Sequence, residues 1–98
     1  MSFIIVLAKI TPKKGCTDTI VEISKELIET TLQEEGNIDY QLLQSTESDN
    51  LTFVEKWETL DALKQHMASP HFQSFSAESA EFVENMDIQV IDGDEIQL

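Results

Sequence analysis

Two histidines, one flanked carboxylate and a few aromatics are the residues whose types and spacing suit chemistry. His66 falls between Ala62 and Leu63 on the apolar side of a helical repeat, counting about 100° per residue. An imidazole there titrates near neutral pH and takes or gives a proton, or else donates one hydrogen bond inside a packed core. His71 lies beside Phe72 and Phe75 on the next helical wheel, where an exposed or capping role is the alternative. Phe53, Glu55 and Trp57 share one strand face by period two. A carboxylate between two aromatics suits an acid or base of raised pKa, or else a group paired with Lys56 or lying at a wet edge. Trp57 and Tyr40 are aromatic anchors whose N–H and O–H need partners when buried. Such groups line flat aromatic ligands or simply fill a core.

Several chemistries are excluded by what is missing. The two histidines have no acidic residue at metal-ligand spacing, there is no H-E-x-x-H motif, and the single cysteine is distant, so no bound metal is expected. Gly15, Gly36 and Gly93 stand singly, which leaves no phosphate loop, nucleotide or flavin fingerprint. No Ser-centred nucleophile elbow occurs. Nineteen acidic residues face six lysines and no arginine, for a net charge of −13. That charge repels nucleic acid and anionic membranes, which are held mainly through Lys and Arg on phosphate. Without the guanidinium fork, strongly anionic substrates are disfavoured as well. Cys16 cannot form an intramolecular disulfide; it reads as a small buried residue on the inner stripe of the first helix, in a reducing compartment. The apolar run Phe3–Ala8 is too short to span a bilayer and shows no leader features, so a cytoplasmic protein is expected.

The elements that must position these residues follow from periodicity. The 98 residues fit one domain, 1–98. Phe3 to Ile10 is a strand, stopped by Pro12, with Ile4, Val6, Ala8 and Ile10 on one face and Phe3, Ile5 and Leu7 on the other. A helix follows Gly15, with Cys16, Ile20, Ile23 and Leu27 in its stripe, and Val21, Ile28 and Leu32 beside it. Thr17, Asp18 or Thr19 is its expected cap and Gly36 its expected end. Ile38, Tyr40 and Leu42 make a second strand, and residues 53–57 lie in a third after a turn at Asp49-Asn50. Thr59 caps a helix with Leu60, Leu63 and Met67 in its stripe. Ser69-Pro70 opens another helical stretch carrying Phe72, Phe75, Ser79, Phe82, Val83 and Met86. Ile88 and Val90 belong to a last strand. The order β-α-β-β-α-β predicts an α+β, ferredoxin-like fold, with a four-stranded antiparallel sheet and helices on one face. The first strand is apolar on the bare face too, and stacking two sheets face to face would cover it. A homodimer is therefore expected.

The segments Glu34-Glu35-Gly36-Asn37 through Tyr40, Phe53-Val54-Glu55-Lys56-Trp57, Leu63-Lys64-Gln65-His66 and Ser69-Pro70-His71-Phe72 together resemble the antibiotic biosynthesis monooxygenase (quinol monooxygenase-like) family. The resemblance covers nearly the whole chain. It implies a homodimeric α/β barrel with one pocket per subunit, between helices and sheet. It also implies a cofactor-independent monooxygenase that oxidises a small quinol, phenolic or polyketide-like aromatic substrate with dioxygen, using neither metal nor flavin. Carried over residue by residue, it makes His66 the candidate base. Trp57, Tyr40, Phe72 and His71 become pocket walls or orienting groups, and Asn37 a polar contact at the rim. The haem-degrading branch of the fold is a poorer match. Ala8, His66 and Ser76 stand where its asparagine, tryptophan and haem-ligating histidine would fall. Gln33 to Asn37 also looks like the branch that isomerises phosphorylated autoinducer-2, but the missing arginine argues against a phosphosugar. The alternatives carried forward are a non-oxidative isomerase or lyase on a small carbonyl compound, and a non-catalytic binding or stress module.

Overall fold

The computed structural model describes residues 2–98. Strand β1 (Ser2–Pro12) runs through the middle of the sheet because both its faces are apolar. Helix α1 (Thr17–Thr31) follows, then the hairpin of β2 (Asn37–Gln44) and β3 (Leu51–Trp57). Two short helices, α2 (Leu60–Met67) and α3 (Pro70–Ser79), lead through a 3-10 turn to β4 (Val83–Asp94). The sheet order is β2-β3-β1-β4, antiparallel throughout. This is the ferredoxin-like α+β topology anticipated above, with the second helical layer broken in two at Ser69-Pro70. Ser69 caps α3 through its hydroxyl on the Phe72 amide, and Pro70 occupies the first helical position.

The inner face of the sheet carries the core. Ile4, Val6, Ala8 and Ile10 of β1 are buried beside Leu51, Phe53 and Trp57 of β3 and Tyr40 of β2. Ile20 and Leu27 of α1, Leu63 of α2 and Phe75 of α3 close over them. Each fully buried side chain of this kind contributes about 2 kcal/mol. Phe3, Ile5 and Leu7 point to the opposite face and are only partly covered.

Several local expectations need correction. The cap of α1 is Cys16, with no side-chain capping bond; Thr17, Asp18 and Thr19 all lie in the first turn. The turn at Gly15, with φ at +77°, starts the helix earlier, and the Thr17 hydroxyl donates instead to the Asp49 carbonyl, 3.0 Å away in the β2–β3 loop. Cys16 is consequently half-buried at the helix mouth. Helix α1 ends at Thr31, not at Gly36. A register shift between Asn37 and Asp39 turns Ile38 outward, so Tyr40 and Leu42 alone face the core. In α2 the buried pair is Leu63 and His66, while Leu60 and Met67 are exposed. The stretch containing Phe82, Val83 and Met86 is not one helix. It leaves the helical path at Ser79, and Met86 lies on β4 opposite Ile10. Met86, Ile88 and Val90 also fit period two, and eleven-residue pairing with β1 satisfies more backbone groups there than another helical turn would.

Gly36 has a use other than the one expected. Its φ is +86°, and a Cβ built on it would lie 2.6 Å from the Cβ of Ala62 in α2. Its carbonyl accepts from the Glu58 amide at 2.8 Å, tying this turn to the start of α2. Gly36→Ala should therefore destabilise the protein by about 2 kcal/mol through left-handed strain and overlap. Urea unfolding of the two proteins checks this; equal midpoints would contradict it.

Candidate active site

His66 sits on the inward side of α2 with only 1% of its surface exposed, and groups from three other elements converge on it. Its Nδ1 lies 2.8 Å from Oε2 of Glu34, in the turn after α1. A carboxylate only accepts, so Nδ1–H is the donor and the lone pair of the neutral ring resides on Nε2. Nε2 faces the Tyr40 hydroxyl, 3.4 Å away on β2. The rings of Trp57 and Phe72 flank the imidazole, with centroids at 4.8 and 5.1 Å. Thus Glu34 orients the ring and sets its tautomer, Tyr40 supplies a hydroxyl at the basic nitrogen, and the aromatics exclude water. Burial lowers the pKa of His66, opposed but not overcome by the Glu34 carboxylate beside it. A neutral base at physiological pH is the result.

His71 approaches the other oxygen of Glu34, with Nε2 2.8 Å from Oε1 and 3.2 Å from the Ser69 hydroxyl. The Ser69 hydroxyl in turn donates to the His66 carbonyl at 2.6 Å, which fixes the break between α2 and α3. Glu34, His66 and His71 bring three ligand atoms within 4.8 Å of one another. This is a two-histidine, one-carboxylate set of the sort that holds zinc or ferrous iron. Sequence spacing could not reveal it, because the carboxylate stands 32 residues before His66.

Beside this cluster opens an apolar cavity of about 270 Å³. The hairpin lines it with Tyr40, Phe53 and Glu55, and the helices add Leu63, His66, Phe72 and Phe75. Its far wall is the inner face of β4, where Met86, Ile88 and Val90 remain 40%, 47% and 50% exposed. These residues align with Ile10, Ala8 and Val6, and the helices stop short of them, so the gap between α3 and β4 becomes the pocket. Trp57, on β3, lies outside the cavity against the His66 ring, fully buried, and its Nε1 donates to Glu55 Oε1 at 3.0 Å. Burial is the main reason that the Glu55 carboxyl is pushed up to about 7; the bond from Trp57 opposes the rise and the charge of Glu34 adds to it. Burial likewise drives the Tyr40 hydroxyl upward, so it remains a donor.

Of the residues singled out by sequence, His66, Tyr40, Phe72 and Glu55 line the cavity. Trp57 and His71 stand behind them, contacting the lining side chains. Asn37 lies opposite Trp57 in the β2–β3 register, with its side-chain amide turned to the Asp39 carbonyl at 3.2 Å. Glu34 was missed as a functional group, as was the β4 wall. Neither has a local signal: Glu34 is one acid among nineteen, and Met86 reads equally well as helical.

A ferredoxin-like sheet with a buried histidine–carboxylate pair over an apolar cavity defines the architecture, and comparison places it in a family. Residues 3–78 match the antibiotic biosynthesis monooxygenase family, and the chain belongs to that family. It is 34% identical over 77 residues to the Bacillus subtilis (strain 168) protein named "Putative monooxygenase YcnE", covering 76% of this chain and 78% of that protein. The crystal structure of a conserved protein from Methanosarcina mazei Go1 superposes with a TM-score of 0.89 at 34% identity, covering 93% and 92% of the two chains. The structure of Rv0793 from Mycobacterium tuberculosis reaches the same TM-score at 22% identity over 96% and 97%, a likeness of fold.

Proposed function

We propose that this protein is a cofactor-independent monooxygenase that oxidises a small quinol-type or phenolic aromatic with dioxygen, His66 acting as the base. The observation carrying this reading is the Glu34–His66 pair, which sets a neutral imidazole in the wall of an apolar cavity of one- or two-ring size, with its basic Nε2 beside the Tyr40 hydroxyl. A substrate hydroxyl gives its proton to Nε2, and Tyr40 holds the resulting oxyanion by donating its O–H. The electron-rich anion passes one electron to dioxygen. The superoxide and the substrate radical then join at a ring carbon, forming a C–O bond. The proton held by His66 returns to the distal oxygen, and loss of water from the hydroperoxide leaves a carbonyl. The balance is diol plus dioxygen to hydroxyquinone plus water, with the substrate supplying all four electrons.

Oxygen uptake with a panel of hydroquinones and naphthols tests the reading, and turnover at the non-enzymatic background rate would remove it. A chelator arm belongs in the same experiment, because the Glu34, His66 and His71 cluster offers a second reading. Activity that survives dialysis against a chelator supports the base. Activity lost on dialysis and restored by a divalent metal assigns the cluster to that metal. Proton exchange at a substrate carbon without oxygen would instead indicate the isomerase or lyase alternative.

One domain in a cytoplasmic homodimer completes the proposal. Among the described residues no helix is long and apolar enough to cross a membrane. The outer sheet face groups Phe3, Ile5 and Leu7 with Val54 and Ile91, a patch suited to a second copy of the same face. Ile5 lies at its centre, between Lys56 and Ile91. Sedimentation should show a dimer at micromolar concentration, with Ile5→Lys weakening association at least about tenfold, as burying an unpaired charge demands. A monomeric parent protein would overturn this part.

A further inference from the structure

Glu55 is a carboxylate whose surroundings do not explain its presence. It lies on the inner face of β3 between Phe53 and Trp57, with no cation against it among the described residues. Lys56, its neighbour in sequence, points to the opposite face, lies over the Phe3 ring and reaches Glu95 at 3.6 Å. One oxygen, Oε1, accepts from Trp57 Nε1. The other has no hydrogen-bond partner among the described residues, yet it is not one of the sealed polar atoms, and Glu55 lines the cavity. A buried carboxylate left half-satisfied is costly unless something arrives to complete it. The cavity is otherwise almost wholly apolar, apart from His66, Tyr40, Ser76 and Ser79.

We infer that Glu55 is a specificity-determining residue, accepting a hydrogen bond from a second hydroxyl of the substrate while His66 Nε2 receives the first. The site then has two acceptors, on β3 and α2, with an apolar ring held between them by Phe53, Phe72 and the β4 wall. A molecule with one hydroxyl methylated leaves an acceptor dry and unpaired. Such sites reject the analogue lacking the group far more strongly than apolar pockets reject a missing methylene. The inference rests on the reading of His66 as the group that meets the first hydroxyl. It concerns binding, so it is tested apart from oxygen chemistry.

The chain has one tryptophan, bonded to Glu55 itself, and its fluorescence reports occupancy directly. Anaerobic titration at pH 8, where the Glu55 carboxyl is ionised, with 1,4-dihydroxynaphthalene and with 4-methoxy-1-naphthol should show the diol binding at least about tenfold more tightly in the parent protein. Glu55→Met keeps the volume and removes the acceptor, and should bring the two affinities within about threefold. Circular dichroism and thermal unfolding establish that this variant is folded, and Glu55→Gln, whose single amide oxygen stays on Trp57 Nε1 and which turns an NH2 donor toward the cavity, should lose the preference as well. Equal affinities in the parent protein, or an undiminished preference in folded Glu55→Met, overturns the inference. Turnover without discrimination refutes the role of Glu55 and leaves the oxygenase standing. Discriminating binding without oxygen uptake does the reverse.

Discussion

Replacing His66 with alanine is expected to lower kcat for oxygen uptake by about 10²- to 10⁴-fold, the range typical of a lost general base. The size of the effect follows from isolation. The ring is almost wholly buried among Tyr40, Trp57 and Phe72, so no solvent base can take its place at the substrate hydroxyl. Glu34 acts through His66, and its replacement should read differently. In Glu34→Gln the amide oxygen still accepts from Nδ1–H, so the tautomer survives, but the charge that raises the affinity of His66 for a proton is gone. The acid limb of the kcat/KM profile should therefore move to lower pH, with a smaller loss of rate than in His66→Ala. A purely structural role for Glu34 would reduce the amount of folded enzyme and leave the limb in place.

Glu55→Gln is expected to stabilise the protein increasingly as pH rises from about 4.5 to about 7, and by a constant amount above that. Burial pushes the carboxyl up to about 7 in the fold, from the 4.5 of a solvated glutamate. Between those values the folded state holds a proton that the unfolded state has released, so stability falls as pH rises through that window. The full cost is reached above pH 7 and amounts to about 3 kcal/mol at 1.36 kcal/mol per pH unit. Glutamine retains the acceptor for Trp57 Nε1 and cannot ionise. The variant should match the parent near pH 4.5 and exceed it by up to about 3 kcal/mol at pH 8 in urea unfolding. A pH-independent offset would show that burial is not the cause. His66 has the opposite sign. Its folded pKa lies below 6.5, so its contribution weakens as pH drops from that value toward the folded one. Two groups of opposing sign in one cavity make neutrality a compromise, and a stabilising change at Glu55 that relaxes selectivity would be the usual exchange of stability against function.

Much of this arrangement was legible in the residues. Period two in β1 and β3 placed Ile4, Val6, Ala8, Phe53, Glu55 and Trp57 on one face, and all are buried there. The Thr59 and Ser69 caps hold as expected, with bonds to the Ala62 and Phe72 amides. The helical wheel put His66 inward, and it is. The pattern misled at the ends of elements. Phe82, Val83 and Met86 fit a helix by spacing, but pairing with β1 decides against it, and spacing contains no information about a partner as distant along the chain as Ile10 is from Met86. Ile38 alternates correctly with Tyr40, but a register shift against Trp57 and Lys56 turns it outward.

Amphipathic periodicity alone determined that this chain forms a four-stranded sheet roofed by helices, since each strand and helix must bury its own apolar stripe. Local patterning likewise determined which face His66 and Glu55 would occupy. What only the tertiary structure decided is company. The turn at Gly36 against Ala62 brings the Glu34 region up to α2, the break at Ser69-Pro70 brings His71 to the same carboxylate, and helices too short to reach β4 leave a cavity at its edge. Periodicity is a property of neighbours along the chain. The pairing of Glu34 with His66 depends on how three packed elements close, and no local pattern encodes that distance.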